Sequence, residues 1–231
     1  GAFSSAQITS LALPSSLRNV NKGAFVGSQI TSLSLPDDFE SMDDTAFWYM
    51  PKLQRVDLGG TKALTDSAFR YDKALAEVNF RPDLNRLTDV GDYAFDGSAL
   101  VSVSLPDSVT SIGKGAFAGN AALRSVHLGS GLTSIGESAF VDASNLASLS
   151  VAPANSAFSV EDGVLYSKGD TGRTLVLYLP TNGASEFAVP DGTVAIADTA
   201  FAHNTSLRRV VLPEGLTTIG YGAFDGDANL A

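Results

Sequence analysis

The chain has 231 residues, a formal charge of −10, 44% hydrophobic and 17% charged residues, and no cysteine. That apolar content supplies a sizeable core and excludes a disordered chain, while the acidic balance excludes the basic footprint that nucleic acid or an anionic membrane needs. The lack of cysteine excludes disulfides, thiolate metal sites and a cysteine nucleophile, and no apolar run approaches the roughly 20 residues that span a bilayer.

From the N-terminus onward one dipeptide keeps returning. Ala-Phe recurs with its Phe at 3, 25, 47, 69, 95, 117, 140, 201 and 224, in steps of 22, 22, 22, 26, 22, 23, 61 and 23. Nine of the thirteen phenylalanines lie on this ladder, which identifies a solenoid. Five residues before each Phe stands an apolar residue, as at Val20, Met42, Leu64, Val90, Ile112, Ile135, Ile196 and Ile219. After each Phe comes an L-x-x-V-x-L pattern, as at Leu53, Val56, Leu58 or Leu123, Val126, Leu128. Its last members alternate with polar residues at period 2, so each unit contains a short strand with one buried face. Pro14, Pro36, Pro106, Pro190 and Pro213 end such strands, having no amide N–H to continue a ladder. Gly91, Gly113, Gly136 and Gly220 follow the upstream stripe, and a tight corner of positive φ is expected there. The Ala before each Phe fits a corner with no room for a larger side chain.

Each unit therefore predicts one coil: strand, turn, short extended segment, turn, and a Phe turned inward. Coils stacked about 4.8 Å apart place the Phe rings in the range of offset aromatic stacking. The structural ladder is Phe25, Phe47, Phe69, Phe95, Phe117, Phe140, Phe201 and Phe224. Parallel strands with crossovers predict right-handed winding, and about ten coils of 22–23 residues a body about 50 Å long. The period breaks once, between Phe140 and Phe201. There, at about 155–186, the runs 163–166 and 174–180 flank a Gly/Asp-rich turn, which predicts a β-hairpin projecting from the solenoid. One domain is expected over 1–231. Both chain ends fall inside a repeat unit, so a piece of a longer parent is expected.

The string Leu105-Pro106-Asp107-Ser108-Val109-Thr110-Ser111-Ile112-Gly113-Lys114-Gly115-Ala116-Phe117 resembles the BspA-like leucine-rich repeat, as does Leu212 through Phe224. The likeness covers essentially the whole chain. It departs in coils three and four, where Gly59-Gly60 and Arg81-Pro82 replace Leu-Pro and Leu84-Asn85-Arg86 is extra. The buried Asn ladder of ordinary leucine-rich repeats is expected to be absent. The resemblance implies a bacterial surface or secreted protein, and partners among host or neighbouring-cell surface proteins, including matrix and plasma proteins such as fibronectin and fibrinogen.

The chemical signals are sparse. His127 falls on an outward strand position and His203 in a loop, so they share no site. Ser111-Ile112-Gly113-Lys114 matches S-x-x-K by accident, because Ile112 is a core position. Asp37, Asp38, Glu40, Asp43 and Asp44 form an acidic loop without calcium-loop spacing, which reads as a solvated edge. Neither catalytic residues nor a metal or cofactor is expected. The outward strand face is small and polar, as at Ser102, Ser125, Ser148 and Ser104, His127, Ser150. The exception on the surface is Trp48-Tyr49 beside Arg70-Tyr71, just after two successive ladder residues. These residue types dominate binding hot spots, and as a site Arg70 is expected to lie over the Trp48 ring; the alternative is that Trp48 packs locally over the loop containing Met50-Pro51. The expected function is a non-enzymatic extracellular protein-binding scaffold of adhesin type. An architectural spacer or an accessory carbohydrate-binding module are the alternatives.

Overall fold

The computed structural model covers residues 1–231, and every regular element in it is a short β-strand. The L-x-x-V-x-L strands stack in parallel. Ser32–Ser34, Arg55–Asp57 and Glu77–Asn79 form one sheet, and Ser102–Ser104, Ser125–Leu128 and Ser148–Val151 another. The upstream stripe makes a second wall, in which Ala63–Leu64, Asp89–Val90, Ser111–Ile112 and Ser134–Ile135 pair in parallel. Register keeps equivalent residues side by side: Val56 lies between Leu33 and Val78, and Ile112 between Val90 and Ile135. A slip of one residue would turn every buried side chain to solvent, so the apolar pattern itself fixes the stacking.

The rings of Phe3, Phe25, Phe47, Phe69, Phe95, Phe117 and Phe140 stack continuously, with centroids 5.1–5.6 Å apart and planes within 15°. Backbone bonds at the same corner reinforce them. The N–H of Phe95 donates to Ala116 at 2.8 Å, and that of Phe117 to Ala139 at 2.9 Å. Two residues either side, Tyr93 donates to Lys114 and Gly97 to Ala118, both at 2.8 Å. Those flanking residues are left-handed in coil after coil: φ is 59° at Thr45, 57° at Ser67 and 56° at Tyr93, and 55° at Tyr49, 62° at Tyr71 and 68° at Gly97. Alternating left- and right-handed residues turn every second N–H toward the next coil, so the corner carries a hydrogen-bond ladder of its own. Ala46, Ala68, Ala94 and Ala116 are fully buried beside it, which fits the absence of larger side chains there.

Positive φ was expected one turn earlier, at Gly91, Gly113, Gly136 and Gly220, and those glycines do not have it. Their role is close approach. A Cβ on Gly91 would lie 2.6 Å from the Leu64 carbonyl oxygen, and one on Gly113 2.6 Å from the Asp92 N. No continuous Asn ladder runs through the coils, but a mixed column of buried polar residues does. Three residues after the ladder Phe, Ser28, Asp72, Ser98, Asn120 and Asn204 are buried. Asn120 donates to the Phe95, Phe117 and Ala118 carbonyls and accepts the Leu100 N–H, tying two coils together. Asp72 accepts the Met50 N–H at 2.7 Å, but its second oxygen has no partner. Burial therefore holds its carboxyl well above the usual carboxylate range.

The departures in coils three and four have a common explanation. Gly59 and Gly60 lie so close to Leu35, Pro36 and Asp37 of the preceding coil that a Cβ on either would collide with backbone. Arg81, at φ 51°, bonds Asp37 at 2.7 Å, Asp83 at 2.9 Å and Asp57 at 3.3 Å. Part of the acidic loop is thereby neutralised: Asp37 by Arg81, and Asp38 by Arg18 at 3.5 Å.

The insert is antiparallel, as expected of a hairpin, but it does not project. Phe158–Glu161, Val164–Ser167 and Arg173–Tyr178 form a three-stranded meander whose last strand pairs in parallel with Thr193–Ile196. Its middle strand is apolar on both faces and buries both. Phe158, Leu165 and Leu179 join a core of 42 residues, whereas Val164, Tyr166, Leu175 and Tyr178 join a second core of 10 with Phe201. Tyr178 takes the vacant rung of the aromatic ladder, 5.1 Å from Phe201, which stacks in turn on Phe224 at 4.8 Å. Its exposed residues are at the turns, Glu161-Asp162 and the tip Lys168 to Thr171.

Four variants have expected outcomes. Phe117→Ala, which removes a fully buried ring between two others, should lower unfolding stability by about 3–5 kcal/mol in denaturant titration. Asp72→Asn should raise stability at neutral pH by about 1–3 kcal/mol, because a carboxylate with an unpaired oxygen is replaced by the group Asn120 uses in the same column. Since the folded protein holds the Asp72 proton more tightly than the unfolded chain, its stabilising contribution is present at low pH and lost as pH rises through the raised value. The difference in melting temperature between variant and parent should therefore shrink on acidification toward the ordinary carboxylate range. Replacing Lys168–Gly172 by Asn-Gly should preserve the cooperative thermal transition. Tyr178→Ala should instead lower the transition of the C-terminal coils, as calorimetry would resolve.

Candidate binding surface

Trp48, Tyr49, Arg70 and Tyr71 belong to the Ala-Phe corner, in the two positions after Phe47 and Phe69. Corner geometry dictates their display. The residue two after each Phe is left-handed and turned to solvent, and most coils place Gly, Ser or Asp there. In these two coils tyrosine occupies it, so Tyr49 is 51% exposed and Tyr71 37% exposed. Trp48 is half-buried, its ring 6.0 Å from that of Tyr49 and tilted 45° to it.

Arg70 does not lie over Trp48. Its guanidinium sits 4.6 Å from the Tyr71 ring centroid and 4.7 Å from that of Tyr93. The cause is Asp96, one coil further on, which accepts from Arg70 Nε at 2.8 Å and draws the side chain away from Trp48. Arg70 also donates to the Tyr71 hydroxyl at 2.9 Å. Tyr93 completes the cluster. It stands in the left-handed position two before Phe95, where other coils carry Gly, Ser or Thr. An aromatic residue in a column of small ones was a signal the sequence offered for it.

Glycines in the following coils seat the rings. A Cβ on Gly97 would lie 2.7 Å from Tyr71 Cδ1, and a Cβ on Gly115 2.6 Å from Tyr93 Cε1. Both tyrosines therefore lie along the solenoid rather than away from it. The outcome is a platform across three coils: two aromatic rings contacting one cation, the cation fixed by a carboxylate that is itself largely buried, and Trp48-Tyr49 alongside. Each cation–π contact contributes about 0.5–1 kcal/mol at an exposed site, and together they hold the arrangement rigid.

The strand face offers less. Register places Ser102, Ser125 and Ser148 in one column and Ser104, His127 and Ser150 in the next. His127 Nδ1 lies 3.0 Å from Ser150 Oγ, and His203 pairs with Asp142 at 3.1 Å. The two histidines are thus each engaged locally, in different columns. No helix of the structure is long and apolar enough to cross a membrane.

Comparison with known proteins bears on this arrangement. No curated protein is detectably similar to the chain. Among solved structures, a leucine-rich repeat protein from Eubacterium ventriosum superposes with a TM-score of 0.78 at 25% identity, over 86% of this chain and 52% of that one. A leucine rich cell surface protein from Faecalibacterium prausnitzii gives 0.72 at 26% identity, over 92% and 63%. The pneumococcal vaccine antigen PcpA shares the fold, with a TM-score of 0.54 at 22% identity, over 94% and 48%. The chain thus spans about half to two-thirds of the length of these neighbours. A family model described as BspA type leucine rich repeat region matches in 6 copies, over residues 1–89, 88–167 and 180–231. The residues it leaves out are the tip and last strand of the meander, where the repeat is replaced. The matches take in most of the sequence, and the chain belongs to the BspA-type leucine-rich repeat family.

Proposed function

We infer that this chain is a non-enzymatic, extracellular protein-binding module of a bacterial surface protein, of adhesin type, whose partners are surface or matrix proteins of a host or neighbouring cell. Fibronectin and fibrinogen are the first candidates. The observation that carries this reading is the preorganised platform. Arg70 is held between Tyr71 and Tyr93 before any partner arrives, so little side-chain freedom is lost on association. Arginine, tyrosine and tryptophan are also the residues on which binding energy concentrates. Surface location is supported by the Faecalibacterium neighbour, which is a cell surface protein, and by the pneumococcal neighbour, which is a vaccine antigen.

The test is binding of the immobilised chain to fibronectin, fibrinogen and a panel of matrix proteins by biolayer interferometry. The informative variant is Tyr49→Gly with Tyr71→Gly, because Gly27 and Gly97 occupy the same column with the same backbone geometry. It should keep the parent's melting temperature to within a few degrees. It should weaken binding by at least about 2 kcal/mol, roughly thirtyfold. Unchanged affinity in that variant would remove the platform as the binding site.

A further inference from the structure

The corner ladder is broken at one internal place. In the coils of Phe3 through Phe117 the ladder N–H donates to the Ala of the following coil, and Phe201 does the same. Phe140 does not: the carbonyl of Ala200, which the repeat would align with it, accepts from Tyr178 instead. The N–H of Ser138, two residues earlier, likewise has no acceptor. The second wall breaks at the same coil. Thr110 and Ile112 carbonyls accept from Thr133 and Gly136 of the next coil, but nothing donates to the carbonyls of Thr133 and Ile135. The strand Ser134–Ile135 is the last of its sheet.

This unpaired edge lines a cleft of about 420 Å³. Residues 133–141 form one side. Phe158, Ser167, Thr174 and Val176 of the meander, with Ala197–Thr199, form the other. Two side-chain contacts bridge the coils at its margin, Thr199 Oγ1 to Ser138 Oγ at 3.2 Å and His203 to Asp142 at 3.1 Å, where other coils use backbone bonds. The only charged lining residues are Glu137 and Asp198. Asp198 uses one oxygen for the Tyr221 N–H, and Glu137 pairs with Lys114.

We propose that this cleft binds an extended peptide segment of a partner protein, which pairs by strand addition with the free edge at Thr133–Phe140 and places a basic side chain at Asp198. The carbonyls of Thr133 and Ile135 are two residues apart on a strand, about 6.6 Å, which is the spacing of alternate N–H groups on one side of another extended chain. Backbone pairing of this kind gives affinity, and pockets for alternate side chains give selectivity. Here the alternate side chains would meet Phe158 and Val176. With Glu137 paired to Lys114, Asp198 is the lining carboxylate left without a cation in direct contact, and no basic residue lines the cleft, which selects a cation over an anion. The volume falls in the range of small-ligand sites and holds a short stretch of chain rather than a domain. The cleft lies in different coils from the aromatic platform and does not depend on it.

The probe is a capped, fluorescein-labelled peptide Thr-Val-Lys-Val-Thr, titrated against the full chain by fluorescence anisotropy. Saturable binding is expected, with at least tenfold weaker binding when its Lys is replaced by Glu. N-methylation of one alternate set of peptide amides should weaken binding at least tenfold, and methylation of the other set should be tolerated. By amide hydrogen exchange, the peptide should slow Ser138 and Phe140 and leave Phe95 and Phe117 unchanged. Val176→Trp, which fills the cleft, should abolish binding. Should that variant fold poorly, Asp198→Asn, which keeps an acceptor for Tyr221, should reduce the preference for Lys over Glu at least fivefold. Tyr49→Gly with Tyr71→Gly should leave peptide binding intact, which separates failure here from failure of the platform. No binding at millimolar peptide, equal tolerance of both methylated sets, or unaltered exchange at Ser138 and Phe140 would overturn the proposal.

Discussion

The structure depends on a backbone constraint at the Ala-Phe corner. Residues two before and two after each Phe are left-handed, and with the Phe between them they aim three N–H groups at the next coil. A left-handed non-glycine residue is uncommon because its Cβ crowds the backbone, so each such position carries a local energetic cost. That cost is offset only when the next coil is in place to accept the bonds, while the Phe rings stack and the Ala beside them stays buried. Coil and stack are therefore interdependent, as expected of a repeat that cannot bury its apolar face alone.

The same constraint decides where a binding surface can arise. The left-handed columns point outward and normally hold small residues, Gly, Ser, Thr or Asp, of which glycine takes that conformation without steric cost. Placing Tyr49, Tyr71 and Tyr93 there gives side chains a fixed direction without any loop to position them. The glycines of the following coils, Gly97 and Gly115, provide the room in which two of the rings lie. The platform thus comes from pairs of neighbouring coils, an aromatic residue in one and a glycine in the next.

Much of this was legible in the sequence because it repeats. The Phe ladder, the strand registers and the outward columns all follow from period and alternation, and each appears where the pattern places it. What the sequence hid was geometric. Glycine at Gly91 and Gly113 serves either positive φ or close approach, and composition cannot separate the two. Trp48 and Arg70 stand in the same column, but Asp96 in the following coil competes for the guanidinium and wins with a direct charge-assisted bond. The buried polar column leaves no clear period in the sequence because its members vary among Ser, Asp and Asn and give way to Met50 and Ala143. The meander was read as projecting because two apolar runs around a polar turn resemble a surface hairpin. Val164, Leu165 and Tyr166 in unbroken succession indicate instead a strand buried on both faces.

The meander also sets how the two halves of the molecule are coupled. Other internal junctions keep their corner bonds and a ring contact, even where the strand face changes sheet, as between Glu77–Asn79 and Ser102–Ser104. Between the coil of Phe140 and that of Phe201, the margin is joined by two side-chain contacts, Ser138 with Thr199 and Asp142 with His203. The core divides at the same place, with the meander contributing one face to each part. In a nearest-neighbour solenoid, stability is a sum of such interfaces, so an interface missing its backbone bonds is where the stack opens most readily. An occupant that supplied those bonds would bind the closed stack and not the opened one. Its affinity would then appear as added stability of both halves together, by the ordinary mass action of a ligand on a folding equilibrium. The irregular coil is thus the one internal junction where the ladder N–H of the corner Phe is left for a partner to engage, because at the other internal junctions the following coil already accepts it.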